Sequence, residues 1–273
     1  MAHALVVFGI TGRMGQSLVR ALREGPAEHQ EGSAAREGSA AREGSAHRQG
    51  REFNLTGAVA SATSSRLGKD AVTDGDPSGV KVTADCALAL RGASVAVDFS
   101  RVHALASHAQ ACVDARVPLL VGTTGFGGAA RGALEAAARE IPVLIAPNTS
   151  VGVAVLRKLV AVAALGLGSA YTAEISEAHH RMKIDAPSGT ALSLGEVLSG
   201  VGRQDPADIG YSVVRAGDIV GEHTVSFAAA GERLEITHRA TDRMIFARGA
   251  LRAAAWLVGR PHGLYAMQDV LDL

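Results

Sequence analysis

The 273-residue sequence predicts an α/β protein: a doubly wound parallel sheet, then a smaller α+β domain with an open mixed sheet. Three observations predict this. Short apolar runs alternate with amphipathic stretches over the first 150 residues. A glycine-rich turn joins the first apolar run to the first helical pattern. After about residue 150 the strand-like segments follow one another with fewer helices between them.

Residues 4–9 (ALVVFG) are nearly all apolar, as a strand buried on both faces requires. Met14, Leu18, Ala21 and Leu22 then fall on one face of a helix over 13–24. Residues 31–48 repeat a six-residue unit, EGSAAR, EGSAAR, EGSAHR. Period six fits no solenoid or coiled coil, the unit has no residue larger than Ala that could build a core, and each repeat carries a helix-weakening Gly. We read it as a disordered insertion in a surface connection. Strands are expected at 53–60, 94–99, 117–122 and 141–146, with helices at 101–115 and 127–139. A helix at 151–168, strands near 171–179, 211–216, 223–230 and 233–239, a helix starting near Gly189 and a last helix at 244–258 complete the reading. The expected division is 1–149, interrupted by the repeat and completed by 241–273, and 150–240.

Bulk properties exclude several classes. Lys and Arg number 27 and Asp and Glu 27, so no whole-protein basic field recruits nucleic acid. Cys86 and Cys112 lie in unrelated segments with no metal-ligand spacing, and two reduced, packed thiols are expected. No apolar run is expected to reach membrane-spanning length, and the N-terminus lacks a basic leader region, so the expected location is the cytoplasm.

Gly9-Ile10-Thr11-Gly12-Arg13-Met14-Gly15 sits between strand and helix, where a dinucleotide fingerprint belongs. Glycines let the backbone approach a pyrophosphate lying on the helix N-terminus, and Arg13 adds a cation beside it. The spacing is GxxGxxG rather than GxGxxG, and a tight turn without ligand is the alternative. At the end of the second strand stands Ser61 and no acid, where NAD sites carry a carboxylate for the ribose. Hydroxyls there, with Arg66, suit a 2′-phosphate, so the reading leans to NADPH over NADH. Gly122-Thr123-Thr124 and Ala146-Pro147-Asn148-Thr149 end further strands of the same sheet, where small polar residues would edge the nicotinamide half.

The segment 177–190 (EAHHRMKIDAPSGT) packs two His, an Arg and a Lys into five positions, just before a helical run. Ser188 or Thr190 is an N-cap candidate, and free N–H groups at Gly189 and Thr190 with nearby cations suit a carboxylate. Adjacent His residues of an extended chain point to opposite sides, so no metal is expected. His delivers a proton near neutral pH, and a Lys neutralises carboxylate charge; hydride addition to a conjugated acid needs both.

EAHHRMKIDAPSGTAL resembles the signature of the 4-hydroxy-tetrahydrodipicolinate reductases. GITGRMG, VDFS at 97–100, GTTGF at 122–126, APNTSVGV at 146–153, RAGDIVGEHTVSF at 215–227 and ERLEITHRA at 232–240 fit the same family in order. The resemblance implies a Rossmann-like first domain, a mixed-sheet second domain and a homotetramer. It implies NAD(P)H-dependent reduction of 4-hydroxy-tetrahydrodipicolinate, a small dicarboxylate, in lysine and diaminopimelate biosynthesis. It implies His179 as proton donor with Lys183 as partner, and His180, Gly189 and Thr190 (Ser188 beside them) on the substrate carboxylates. It implies cofactor binding by Gly9 to Met14, Gly122 to Thr124 and Ala146 to Thr149. Ser61, Thr149, Ala154 and the repeat depart from the family pattern. Another two-domain dehydrogenase would share the first domain and would not need the HHRMK–PSGT arrangement; a non-catalytic nucleotide sensor would keep the fold, and loss of His179 or Lys183 would favour it, yet both are present.

Overall fold

The computed structural model describes residues 2–25, 52–201 and 208–272. The repeat at 31–48 lies outside the described residues. Among those described, eleven strands form two sheets.

The first strand, β1 (His3–Phe8), is flanked on one side by β2 (Phe53–Val59) and β3 (Val82–Thr83). On the other side lie β4 (Val95–Asp98), β5 (Leu119–Val121), β6 (Pro142–Ile145) and β11 (Gly263–Tyr265). All these pairs are parallel, in the order β11-β6-β5-β4-β1-β2-β3. Strands β4 and β5 are buried throughout, as strands covered on both faces must be. Helices α1 (Arg13–Glu24) and α7 (Met244–Leu257) cover one face, where Leu5, Val7, Leu18 and Leu257 share a core. Helices α3 (Leu105–Ala115) and α4 (Gly128–Ala137) cover the other, with Val6, Phe8, Leu105, Cys112 and Leu134. The alternation of Leu5 and Val7 against Val6 and Phe8 is the period-two rule sending neighbours to opposite faces. The short helix α2 (Cys86–Ala89) is capped by Asp85, whose carboxylate accepts the Leu88 N–H.

The second sheet runs β10 (Glu232–Ala240), β9 (Gly221–Ala229), β7 (Thr172–His179), β8 (Gly210–Arg215). Only β7 and β8 pair in parallel, so it is mixed. Along β7, Ala173, Ile175, Glu177 and His179 are buried and their neighbours are more open. Beneath that face lie α5 (Val151–Leu167) and α6 (Gly189–Gly200), through Leu156, Val160, Leu194 and Leu198.

The two-domain α/β and α+β architecture is the predicted one. Four elements escaped the sequence reading: β3, α2, β11 and α8 (Met267–Val270), each two to four residues long and too short to show a period. One exclusion needs correction. Residues Val151–Ala170 are long and apolar enough by composition to span a bilayer. Leu156, Val160 and Ala164 of that stretch pack as core against the second sheet, while Val155, Leu159, Val162 and Leu165 stay exposed.

Candidate active site

Strand order reverses between β1 and β4, and the candidate site opens at the carboxyl ends of these strands. Gly9 follows β1 with φ of +76°, open to glycine at no steric cost. A Cβ on Gly15 would lie 2.5 Å from the Gly9 carbonyl oxygen and 2.6 Å from that of Ile10. The spacing that departs from GxGxxG therefore still does the fingerprint's work of close turn-to-helix packing. Gly12 caps α1 and has no side chain to bond its first-turn N–H groups, which stay free for a ligand.

Three adjoining depressions of about 450, 380 and 470 Å³ run from this turn to the second domain. Gly12, Arg13, Met14, Thr123 and Thr124 line the first. Arg13, Met14, Gly122, Thr124, Ala146 to Thr149, His179, His180, Lys183 and Thr190 line the second. Asn148, His179, Lys183, Ser188, Gly189 and Thr190 meet in the third. The expected cofactor loops and the expected reaction segment thus share one trough. Gly9 and the buried Ile10 lie beneath the turn, and Thr11 is exposed beside it. Ser61 stands apart, exposed at the end of β2 and hydrogen-bonded to Thr63. Arg66, expected there for a 2′-phosphate, lies in the loop that follows, where its Nη2 donates to the Asp70 carbonyl at 2.6 Å and to that of Val72 at 3.2 Å.

His179 ends β7 on the buried face. Its Nδ1 donates to Glu177 two residues earlier, on the same face of the strand. Glu177 is 3% exposed and also accepts from Arg215 at 2.7 Å and from the Ser188 N–H at 3.0 Å. Burial pushes its pKa up, but Arg215, the Ser188 N–H and His179 outweigh this and hold it below the usual range. It stays a carboxylate. His179 is pushed down, mainly by burial, with Lys183 and Arg215 adding and Glu177 opposing. With Nδ1 engaged, Nε2 is the ring's remaining polar atom. A Cβ on Gly221 would come within 3.0 Å of it, so glycine there leaves that nitrogen room.

Lys183 donates to Asp185 at 2.8 Å, which holds its ammonium near His179. Ser188 caps α6, accepting the Ala191 N–H at 3.2 Å. It is 2% exposed, with its own N–H on Glu177 and its hydroxyl on His223 Nε2 at 3.1 Å, so its polar atoms face the protein. Gly189 and Thr190 form the open first turn, and Asn148 bridges to the Thr190 hydroxyl at 3.1 Å, across the two sheets' loops. His223 sits edge-on to His179, ring centroids 5.1 Å apart, and burial, then His179, drive its pKa down to about 4.

Sequence reasoning missed Glu177, Arg215, Gly221 and His223. Glu177 left a signal: an acid two residues before the key His, at an inward position of an alternating strand. The other three come from β8 and β9 and meet the site only through sheet pairing. Glu177, His179 and His223 lie close enough to share an ion. Both Glu177 oxygens already hold donors, one of them the Arg215 guanidinium, which disfavours a cation there.

Family models described as dihydrodipicolinate reductase match the chain, the N-terminal one over residues 44–149 and the C-terminal one over 152–271. A 4-hydroxy-tetrahydrodipicolinate reductase of Anaeromyxobacter dehalogenans strain 2CP-1 is 45% identical, covering 98% of this chain and 97% of its own. The chain belongs to the dihydrodipicolinate reductase family. A second reductase, from Thiobacillus denitrificans, is 44% identical over the whole of both chains, so the relatives span the glycine-rich turn that precedes residue 44. Dipicolinate-bound dihydrodipicolinate reductase from Paenisporosarcina sp. TG-14 shares the fold, with a TM-score of 0.72 at 20% identity over 98% of this chain and 99% of that one. Family membership implies binding of a nicotinamide nucleotide, and the close-packed glycines and uncapped helix start fit such a group.

Proposed function

We infer that this chain reduces 4-hydroxy-tetrahydrodipicolinate to tetrahydrodipicolinate, with loss of water, as an NAD(P)H-dependent enzyme of lysine and diaminopimelate biosynthesis. The observation that carries the reading is the Glu177–His179 pair beside Lys183 and the α6 start, in the trough shared with the glycine-rich turn.

The cofactor rests on Gly9 to Met14, Gly122 to Thr124 and Ala146 to Thr149, with Arg13 beside the pyrophosphate. When bound, the reduced nicotinamide supplies a hydride. The protein's own residues handle charge and protons. His179 Nε2 delivers a proton, and Glu177 fixes the tautomer and supports the imidazolium. Lys183 neutralises carboxylate charge near His179. The N–H groups of Gly189 and Thr190 take one carboxylate at the start of α6, and His180 assists. Ser188 contributes by capping that helix. Glu177's filled oxygens support proton chemistry without a metal.

The lean to NADPH rests on Ser61: a hydroxyl stands where a carboxylate would select the free ribose, and Thr63 adds a second. We further propose two working units, 1–149 completed by 241–273, and 150–240; β11 at the edge of the large sheet and α7 on its face support this. A homotetramer in the cytoplasm completes the reading.

The test is NADPH and NADH oxidation by purified protein, fed substrate made freshly from pyruvate and aspartate semialdehyde by the preceding synthase. Rapid, substrate-dependent oxidation is expected, with the larger kcat/KM for NADPH. Nucleotide binding without oxidation would overturn the reading.

A further inference from the structure

The segment Val97-Asp98-Phe99-Ser100 ends β4 beside the strand-order reversal, and the proposed proton chemistry does not use it. Asp98 is wholly buried. Its Oδ1 accepts the Ser100 N–H at 2.7 Å and the Thr123 hydroxyl at 3.2 Å. Its Oδ2 accepts His108 Nδ1–H at 2.7 Å. The His108 ring stacks on Phe8, with centroids 4.3 Å apart and planes 17° from parallel. Helix α3 and strand β1 therefore both set its orientation.

A buried carboxylate needs a cation and a full set of donors. His108 is that cation. Burial pushes its pKa down, but the Asp98 hydrogen bond, with the Cys86 thiol from α2 adding, lifts it to about 9. The other titratable group facing the pair, Cys112 of α3, is pushed up by burial and by Asp98, and stays neutral. The remaining bonds of the Asp98 carboxylate go to two segments flanking the trough: Phe99–Ser100 and Gly122–Thr124.

We propose that Asp98 and His108 form a buried positioning pair that holds these two segments in the shape the nicotinamide cofactor requires. They act through Ser100 and Thr123. The inference rests on the reading that Gly122 to Thr124 bind the cofactor.

The test is direct NADPH binding without substrate, by fluorescence titration, alongside steady-state kinetics. A hydrogen bond between charged partners contributes enough that His108→Leu is expected to raise the NADPH Kd roughly ten-fold or more. The loss should fall on Kd and on KM for the nucleotide, with KM for the dicarboxylate changing far less. His108→Asn, whose amide nitrogen reaches the Nδ1 position, keeps the donor and loses the charge, so its Kd should lie between those of wild type and the leucine variant. If the leucine variant does not fold, Thr123→Val carries the test by removing one tether and no charge, and it should weaken NADPH binding in the same direction. Wild-type protein that fails to bind NADPH would sink the cofactor-site reading itself. Wild type that binds, with His108→Leu (or, where that variant is unfolded, Thr123→Val) at the same Kd, overturns the positioning pair alone.

Discussion

His179 is the residue on which the proposed chemistry turns, and its neighbours decide how it behaves. Replacing it by Gln removes a proton donor that acts in the transition state, so kcat should drop about 10²- to 10⁴-fold while KM moves little. An unchanged kcat would remove His179 from that role. A general acid works only while protonated, and burial lowers the pKa of His179. The alkaline limb of kcat/KM against pH should therefore fall below the ordinary histidine value. Glu177 opposes that lowering, so Glu177→Gln should move the limb to still lower pH; a shift upward would contradict the assigned hydrogen bond. The two His and the Lys were legible as residues because their types and spacing are unusual. Glu177 was quoted within the same run, yet its role emerged only when the strand turned both side chains inward. His223 and Arg215 were not legible, since nothing in the chain between 179 and 215 says that β8 and β9 will flank β7.

Elements place those residues. Ser150 caps α5 and Ser188 caps α6, each by accepting an N–H from three residues on. Either serine replaced by alanine should cost about 1 kcal/mol of stability through the lost cap. Only Ser188→Ala should also raise the KM for the dicarboxylate, because only α6 points its first turn at the proposed carboxylate site. Equal KM effects in both variants would argue that α6 is a packing element and nothing more. At the other end of the trough, Gly15→Val would drive side-chain atoms into the Gly9 and Ile10 carbonyls. Overpacking of this kind costs about 1–3 kcal/mol, and the displaced turn should weaken nucleotide binding in parallel. The long strands and helices were read correctly from periodicity. Elements of two to four residues were not, because so few residues carry no period and exist only by pairing with a neighbour.

At the scale of the whole molecule, two buried histidines pull the pH dependence of stability in opposite senses. His223 drops to about 4 from 6.5, so the unfolded chain binds the proton better, and stability is lost as pH falls from 6.5 towards 4. His108 rises to about 9 from 6.5, so its contribution is complete below 6.5 and is lost as pH rises towards 9. Each shift corresponds to about 3 kcal/mol at the far end of its range. Urea melts from pH 4 to 10 should therefore peak near pH 6.5, and His108→Asn should flatten the alkaline side; a flat profile in the unmodified protein would refute both assignments. Sedimentation should give four times the monomer mass, and a monomer at working concentration would remove the tetramer. By itself the sequence determined the class of fold and marked the glycine-rich turn and the His/Lys segment as candidates, because periodicity, glycine placement and clustered charge are local properties that a chain displays unfolded. Tertiary structure alone decided the company those residues keep: that Glu177 and His179 turn inward together, that Arg215 reaches Glu177 and His223 reaches Ser188, and that Asp98 meets His108 and Thr123. Arg215 lies 38 positions from Glu177, His223 35 from Ser188 and His108 ten from Asp98, and the strength of these contacts comes from burial, which no stretch of sequence possesses until the sheets assemble.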